Sequence, residues 1–133
     1  MWFNAVLRGD VNYIRVGEGT NIQDLSLVHE SYQKSPTIIG SHVTVGHSVI
    51  LHACRVGDLS LIGMGSTVLD DAEIGDEVLL GAGSLVTQGM KIPSGSKAFG
   101  RPAKVVGKLT EEERAFLRWS ANHYVLLAKT YRA

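Results

Sequence analysis

The chain of 133 residues has few of the features that mark secreted, nucleic-acid-binding or membrane-spanning proteins. Its single cysteine, Cys54, cannot form a disulfide within the chain, which indicates a protein of the reducing cytoplasm. The 13 acidic residues balance the 13 basic ones, and no basic stripe with interleaved aromatic residues occurs, so nucleic acid is not an expected partner. No apolar run approaches the ~18 residues that a membrane-spanning helix needs, so no membrane partner is expected either.

Glycine, by contrast, is abundant, with 15 residues against three prolines, and it follows a six-residue repeat. Branched aliphatic residues recur at every sixth position, at Val56, Ile62, Val68, Ile74, Leu80, Val86 and Ile92. A glycine comes directly after four of them, at Gly57, Gly63, Gly75 and Gly81. Most units also carry a small residue four places after the aliphatic one, at Ser60, Ser66, Ala72, Ser84 and Ser96. The same rhythm starts upstream, at Val16, Ile39 and Val45.

A period of six fits neither an α-helix nor simple strand alternation, and it is typical of a solenoid. Each unit supplies a short strand and a corner, and three units complete one triangular coil. We expect the aliphatic side chains to point inward, the small residues to allow the turns, and the glycines to tolerate the corner dihedral angles. Glycine recurs too often for a helical interpretation. The repeat therefore predicts an all-β solenoid, a parallel β-helix over residues 1–100.

The pattern stops near residue 100, and a different signal follows a connector expected over residues 101–109. Thr110 and Glu113 have the spacing of a capping box, which predicts a C-terminal α-helix over residues 110–131. We expect this helix to pack along the outer wall of the coil. Its predicted packing stripe consists of Phe116, Trp119, His123, Leu126 and Leu127.

Three histidines, His29, His47 and His52, lie where the repeat is irregular. An insertion predicts a loop over residues 31–35, after the first histidine, and the unit that contains the third histidine is one residue short. Repeats are often interrupted at functional sites. The three imidazoles are therefore candidates for one site.

Counting the units assigns each histidine to a face of the coil. His29 and His52 fall on one face, one coil apart, and adjacent strands are about 4.8 Å apart, so both rings can chelate one ion. His47 falls on the neighbouring face and can join such a pair only from another subunit of a three-fold assembly. Three nitrogens with an open fourth position form the usual catalytic zinc site. Zinc is the expected metal, and iron(II) or cobalt are alternatives because imidazole suits all three.

Five segments that carry these residues closely resemble γ-class carbonic anhydrases and their homologues, and the likeness covers nearly the whole chain. The segments are Trp2–Asp10, Asn21–Asp24, Val28–His29, Gly46–Ser48 and Leu51–Cys54. The resemblance implies a left-handed β-helix, a homotrimer and one metal at each subunit interface, with His29, His47 and His52 as its ligands. It implies a lyase that hydrates carbon dioxide reversibly to bicarbonate by means of a metal-bound hydroxide.

The resemblance also implies roles for four neighbouring residues. Arg8 and Asp10 resemble an interface ion pair beside the metal, for which a purely structural salt bridge is the alternative. Gln23 resembles the residue that hydrogen-bonds the metal-bound hydroxide, for which a corner hydrogen bond is the alternative. Asp24 lies next to it in the interface network.

The chain departs from the best-studied members of that family in two ways. Val11 stands where those proteins carry one proton-transferring glutamate, and the loop Glu30–Lys34 lacks the acidic character that supplies another. Slow proton export would limit or abolish turnover, although Glu30, Tyr32 or buffer could take over this role. Family members also have further coils before Trp2, so N-terminal coils are expected to be missing from this sequence.

Two other functions compete with carbon dioxide hydration. The same coil carries many acyl-CoA-dependent acyltransferases, which use one histidine as a general base and need no metal. A metal-stabilised trimer that serves binding or assembly without turnover is the other, and the missing carboxylates favour it. The fold alone does not decide between them.

Overall fold

The computed structural model describes residues 1–132, which form sixteen short β-strands followed by one α-helix. The strands build three sheets that together make a left-handed parallel β-helix, as the repeat and the resemblance predicted. Within each sheet, strands from successive coils pair in parallel, and only the last strand of the chain pairs antiparallel. Among residues 1–132, no α-helix combines the length and the hydropathy of a membrane-spanning segment.

Successive strands pass from the first sheet to the second, then to the third, and back to the first. The first sheet contains β1 (Val6–Leu7), β4 (Leu27–His29), β7 (Ile50–His52), β10 (Thr67–Val68) and β13 (Leu85–Val86). The second contains β2 (Ile14–Val16), β5 (Thr37–Ile39), β8 (Arg55–Val56), β11 (Glu73–Ile74) and β14 (Lys91–Ile92). The third contains β3 (Asn21–Ile22), β6 (Thr44–Val45), β9 (Leu61–Ile62), β12 (Leu79–Leu80), β15 (Ser96–Gly100) and β16 (Ala103–Lys108).

The core is a column of aliphatic side chains along the axis of the coil. All seven aliphatic residues of the regular repeat are buried, and so are the five small residues of the repeat. The small residues also bond neighbouring coils: the Ser60 hydroxyl donates to the Gly75 carbonyl and accepts from the Val78 amide. The predicted inward and corner positions are confirmed for the regular repeat and for Ile39 and Val45 upstream, whereas Val16, in the first coil, is 40% exposed.

The reason given for the glycines was wrong. The glycines that follow the aliphatic residues do not adopt positive φ; that conformation occurs at other corner positions, including non-glycine residues such as Leu59 and Asp71. A Cβ atom on Gly57 would lie 2.5 Å from the carbonyl carbon of Gly75 on the next coil. These glycines are therefore required by close backbone approach, not by their dihedral angles.

The outward-facing side chains differ sharply between the three faces. The row on the second sheet is mostly charged and consists of Arg15, Ile38, Arg55, Glu73 and Lys91. The helix lies against β3 and β6 of the third sheet. The row on the first sheet is apolar apart from one threonine and has no such cover in the described chain; it consists of Val6, Leu27, Ile50, Thr67 and Leu85.

The segment expected to be a connector is largely a strand. Ala103–Lys108 forms β16, which pairs antiparallel with β15 and extends the third sheet. Alternating exposure is weak in this strand, and its sequence lacks the six-residue period, so the repeat gave no signal for it.

The helix, α1 (Glu111–Thr130), has the predicted capping box, because Thr110 accepts from the Glu113 amide and Glu113 accepts from the Thr110 amide. The predicted packing stripe is wrong. Phe116, Trp119, His123 and Leu126 are exposed and Leu127 is half-buried, whereas the buried residues of the helix are Leu117, Ser120 and Ala121. Small side chains at the contact allow the helix to approach the sheet closely, and the Ser120 hydroxyl lies 3.1 Å from that of Thr44.

Truncation of two leucines on opposite sides of α1 distinguishes these packing faces. Leu117 is 2% exposed and Leu126 is 62% exposed. We expect Leu117→Ala to lower the free energy of unfolding by about 2–5 kcal/mol, because it removes buried methyl groups and leaves a cavity. The matched change Leu126→Ala should cost less than about 0.5 kcal/mol. Urea denaturation followed by circular dichroism measures both, and a larger loss for Leu126→Ala would contradict the observed packing.

Candidate metal centre

Two of the three predicted histidines stand side by side at the end of the first sheet. Parallel pairing of β4 with β7 places His29 directly opposite His52, which confirms the predicted register. The Nδ1 atom of His29 lies 3.2 Å from the Nε2 atom of His52. Two nitrogens bound to one tetrahedral zinc ion at 2.0–2.1 Å would be about 3.3–3.4 Å apart. The separation therefore fits two ligands of one ion.

The outer nitrogens of this pair face carboxylates. Asp10 Oδ1 lies 3.3 Å from His29 Nε2, and Asp70 Oδ1 lies 2.6 Å from His52 Nδ1. An ionised carboxylate only accepts hydrogen bonds, so the outer nitrogen of each ring carries the proton. The other nitrogen of each neutral ring then directs its lone pair toward the second histidine. Two lone pairs 3.2 Å apart repel each other unless a cation or a proton lies between them. The donor set therefore fits a metal ion.

Both carboxylates are held in the ionised form. The hydrogen bond from Arg8, at 2.6 Å, is the main reason that the pKa of Asp10 is lowered, although both side chains are about half exposed. Burial alone would raise the pKa of Asp70, but hydrogen bonds from Ser31 and His52 outweigh burial and lower it. Such acceptors fix the tautomer of a histidine and raise its basicity as a ligand.

Glu30 lies beside the pair but points into the coil. Its side chain is 1% exposed, and its Oε1 atom accepts hydrogen bonds from the amides of Val11 and Asn12 at 2.9 and 3.1 Å. The Oε2 atom has no hydrogen-bond partner within residues 1–132. The potential metal-ligand atoms of Asp10, His29 and Glu30 lie within 4.8 Å of one another. His29 therefore also has carboxylates on the side that faces away from His52. Glu30 braces the corner that carries Asp10 and does not reach solvent.

The third predicted ligand, His47, lies at a different corner, where the chain passes from the third sheet to the first. Its Nδ1 atom is 3.0 Å from Asp24 Oδ2, and its side chain is about half exposed. His47 makes no hydrogen bond to His29 or His52 in the described chain. The predicted separation of one histidine from the other two is what the structure has.

Gln23 lies at the same corner as His47 and is fixed by a buried polar chain. Its Nε2 atom donates to Asn21 Oδ1 at 3.1 Å, and Asn21 donates in turn to the Thr44 hydroxyl at 3.2 Å. The Thr44 hydroxyl contacts Ser120 on α1. The side chain is 4% exposed. A continuous series of hydrogen bonds thus links the helix to the orientation of the Gln23 amide.

The seven predicted site residues therefore divide between two corners of the coil. We call the corner between the first and second sheets the pair corner; it holds Arg8, Asp10, His29 and His52. We call the corner between the third and first sheets the lone corner; it holds Gln23, Asp24 and His47. The first sheet, with its apolar outer row, lies between them.

Asp70 and Ser31 were missed from the sequence. Asp70 lies two residues after Val68, which pairs with Leu51, and its Oδ2 atom accepts a hydrogen bond from the Ser31 hydroxyl. Extending the count by one coil places Leu69, not Asp70, opposite His52, so the repeat gave no signal for this carboxylate. Cys54 is not a candidate ligand, because its burial raises the pKa of the thiol to about 12 and keeps it protonated.

Comparison with known protein families identifies the six-residue repeat. A family model described as bacterial transferase hexapeptide (six repeats) matches residues 53–88. A solved structure of a hexapeptide transferase family protein from Anaplasma phagocytophilum superposes with a TM-score of 0.93 at 49% identity, covering 98% of this chain and 76% of that one.

Similarity to curated proteins is more specific. The mitochondrial protein gamma carbonic anhydrase 1 of Arabidopsis thaliana is 49% identical over all of this chain, which spans half of the plant protein's length. A protein named carbonic anhydrase from Geobacillus kaustophilus is 50% identical over all of this chain and 72% of its own length. At that identity and coverage, the chain belongs to the γ-class carbonic anhydrase-like family of hexapeptide-repeat proteins.

Proposed function

We propose that this protein is a metal-dependent lyase that hydrates carbon dioxide reversibly to bicarbonate at sites between the subunits of a homotrimer. The observation that carries this proposal is the pair of ring nitrogens of His29 and His52 that face each other 3.2 Å apart. His47 lies at the opposite end of the strands of the same sheet. Names of relatives that are about half identical, including carbonic anhydrase, support the reaction.

The outer face of the first sheet supports the trimer. It is the one face of the described coil that is neither charged nor covered by α1, and Ile50 and Leu27 are exposed there. Leu25 and Met64, beside the lone corner, are also exposed. Contiguous apolar surface of this kind marks an interface. If three such faces meet around a three-fold axis, the lone corner of each subunit meets the pair corner of the next.

In this assembly His29 and His52 of one subunit and His47 of its neighbour would hold the metal. Zinc is the proposed ion, with iron(II) or cobalt as alternatives, because neutral imidazole binds all three. When bound, such an ion lowers the pKa of a coordinated water toward ~7 and so supplies hydroxide at neutral pH. Asp24, 3.0 Å from His47 Nδ1, orients that ring as Asp10 orients His29.

Gln23 is proposed to orient the reacting oxygen. Its amide is fixed by Asn21, which leaves its carbonyl oxygen and second N–H for reactants at the interface. Arg8 keeps Asp10 ionised and is half exposed, so its guanidinium can also attract bicarbonate at the interface. Holding the Gln23 amide by this hydrogen bond favours catalysis, because a pre-oriented dipole need not reorganise during the reaction.

Proton export depends on groups outside the pair corner. Val11 offers no carboxylate, and Glu30 is buried with its Oε1 atom committed to backbone amides. Tyr32 is largely exposed on the neighbouring loop, but it offers a phenol and not a carboxylate. We therefore propose that dissolved buffer carries the proton away.

Two matched isoleucines test the trimer. Ile50 lies in the outward row of the first sheet and Ile38 in that of the second. Ile50→Glu should convert the trimer to monomers, because three carboxylates would be buried without partners at the interface. Ile38→Glu should leave the trimer intact. Sedimentation velocity measures both, and a trimer that survives Ile50→Glu would contradict the proposed interface.

Mixing two inactive variants tests whether the metal site is shared. His47→Ala removes the donor of the lone corner, and His52→Ala removes one donor of the pair corner; each homotrimer should lose tight zinc binding. Random reassembly of an equal mixture should restore about a quarter of the sites, each from one intact corner of each kind. Zinc content after dialysis against a weak chelator measures this.

The control for the mixing experiment is His42→Asn, which removes a histidine outside both corners. His42 has a φ of 55°, a conformation that asparagine tolerates. This variant should bind zinc as the natural chain does. A mixture that recovers no zinc, or a His47→Ala homotrimer that keeps it, would refute a ligand donated across the interface.

Stopped-flow carbon dioxide hydration tests the reaction itself, on trimer purified without oxygen and loaded with zinc, iron(II) or cobalt. The loaded protein should accelerate hydration and the chelated protein should not. Because residue 11 is a valine, the rate should depend on buffer concentration, and Val11→Glu should raise the rate in weak buffer by about tenfold or more. Val106→Glu, at an exposed valine of β16, is the matched control.

The two alternative functions predict different results for metal content, hydration and acetyl-CoA turnover. One metal per chain without hydration under any of the three ions would refute the lyase and leave a metal-stabilised assembly protein. Acetyl-CoA turnover by metal-free protein would favour an acyltransferase that uses a single histidine as general base.

A further inference from the structure

Asp70 makes a short side-chain contact with His52 of the pair corner, although it belongs to the next coil. The chain turns after β10, and Asp70 Oδ1 then lies 2.6 Å from His52 Nδ1. The side chain is only a quarter exposed, and its second oxygen accepts from the Ser31 hydroxyl. Each of its oxygens therefore has a defined partner.

Asp70 decides which nitrogen of His52 can bind a cation. A neutral imidazole has one N–H, and an ionised carboxylate 2.6 Å from Nδ1 requires the proton there. The lone pair then lies on Nε2, which is the atom that faces His29 at 3.2 Å. Without Asp70 the proton could reside on Nε2, and that tautomer cannot coordinate an ion between the rings.

The same aspartate also fastens the inserted loop beside the site. Ser31, at the start of the loop, bonds Asp70, and Ser35, at its end, bonds the adjacent Asp71. Lys34 Nζ lies 3.3 Å from the other oxygen of Asp71. Two consecutive carboxylates thus hold both ends of the loop, and only the first of them also contacts a histidine.

We propose that Asp70 is a positioning residue that fixes the tautomer and orientation of His52 and ties them to the position of the 31–35 loop. This inference rests on the proposed function in one respect, the assignment of His52 as a metal ligand. An outer-sphere carboxylate of this kind typically contributes about 10–100-fold to metal affinity.

The test compares Asp70→Asn with Asp71→Asn, two isosteric changes at adjacent positions. Histidine tautomers are read from long-range nitrogen–proton NMR spectra of metal-free protein at about pH 8. The spectrum of the natural chain should show the proton of His52 on Nδ1. Asp70→Asn should shift it partly or wholly to Nε2, and Asp71→Asn should not.

Zinc affinity, measured by competition with a chromophoric chelator, gives the second readout. We expect a loss of about 10–100-fold for Asp70→Asn and less than about twofold for Asp71→Asn. Ser31→Ala, which frees the loop but keeps the His52 contact, should give a smaller loss than Asp70→Asn. Circular dichroism melts verify that all three variants fold.

The outcomes separate this inference from the proposed function. An unchanged His52 tautomer in Asp70→Asn, or equal losses from the two asparagine variants, would overturn the role of Asp70. Normal zinc effects in a protein that hydrates no carbon dioxide would leave that role intact and refute only the lyase. If the natural chain binds no zinc, the metal assignment fails and the tautomer alone decides whether Asp70 orients His52.

Discussion

The in-register parallel ladder between coils is the constraint on which the rest of the structure depends. Each coil repeats the path of the one before, so each side chain lies above its counterpart at a spacing of about 4.8 Å. The buried aliphatic column, the glycines at close backbone contacts and the serine hydroxyls that bond successive coils all follow from that repetition. It also brings His29 and His52, 23 residues apart, to within hydrogen-bonding distance.

The six-residue period predicts a side chain's position correctly wherever strand pairing between coils determines that position. It predicted the three faces, the inward residues and the register of the histidine pair, because one integer period sets them all. It failed where other contacts decide. The packing side of α1 was predicted wrongly because Ser120 and Ala121 pack by close approach and not by a hydrophobic stripe. β16 was not predicted because this antiparallel strand lacks the six-residue period.

The candidate site was predictable in its ligand types but not in its electrostatics. Counting six-residue units is enough to show which histidines lie together. The direction of each ring's lone pair, however, depends on the hydrogen-bond acceptor behind that ring. Asp10 and Asp70 supply those acceptors from different coils, and each is kept ionised by hydrogen bonds that no local pattern reveals. Glu30 looked available for proton transfer in the sequence, yet the turn of the backbone after His29 directs it inward.

The separation of the two corners by a whole sheet has a consequence for the protein in dilute solution. In the proposed arrangement a lone subunit offers a cation two imidazole nitrogens, and an associated pair of subunits offers three. A ligand that prefers the associated state draws the equilibrium toward it, and the coupling acts equally in both directions. Metal occupancy would then rise with protein concentration at constant free metal, and removal of the metal would weaken cohesion between subunits.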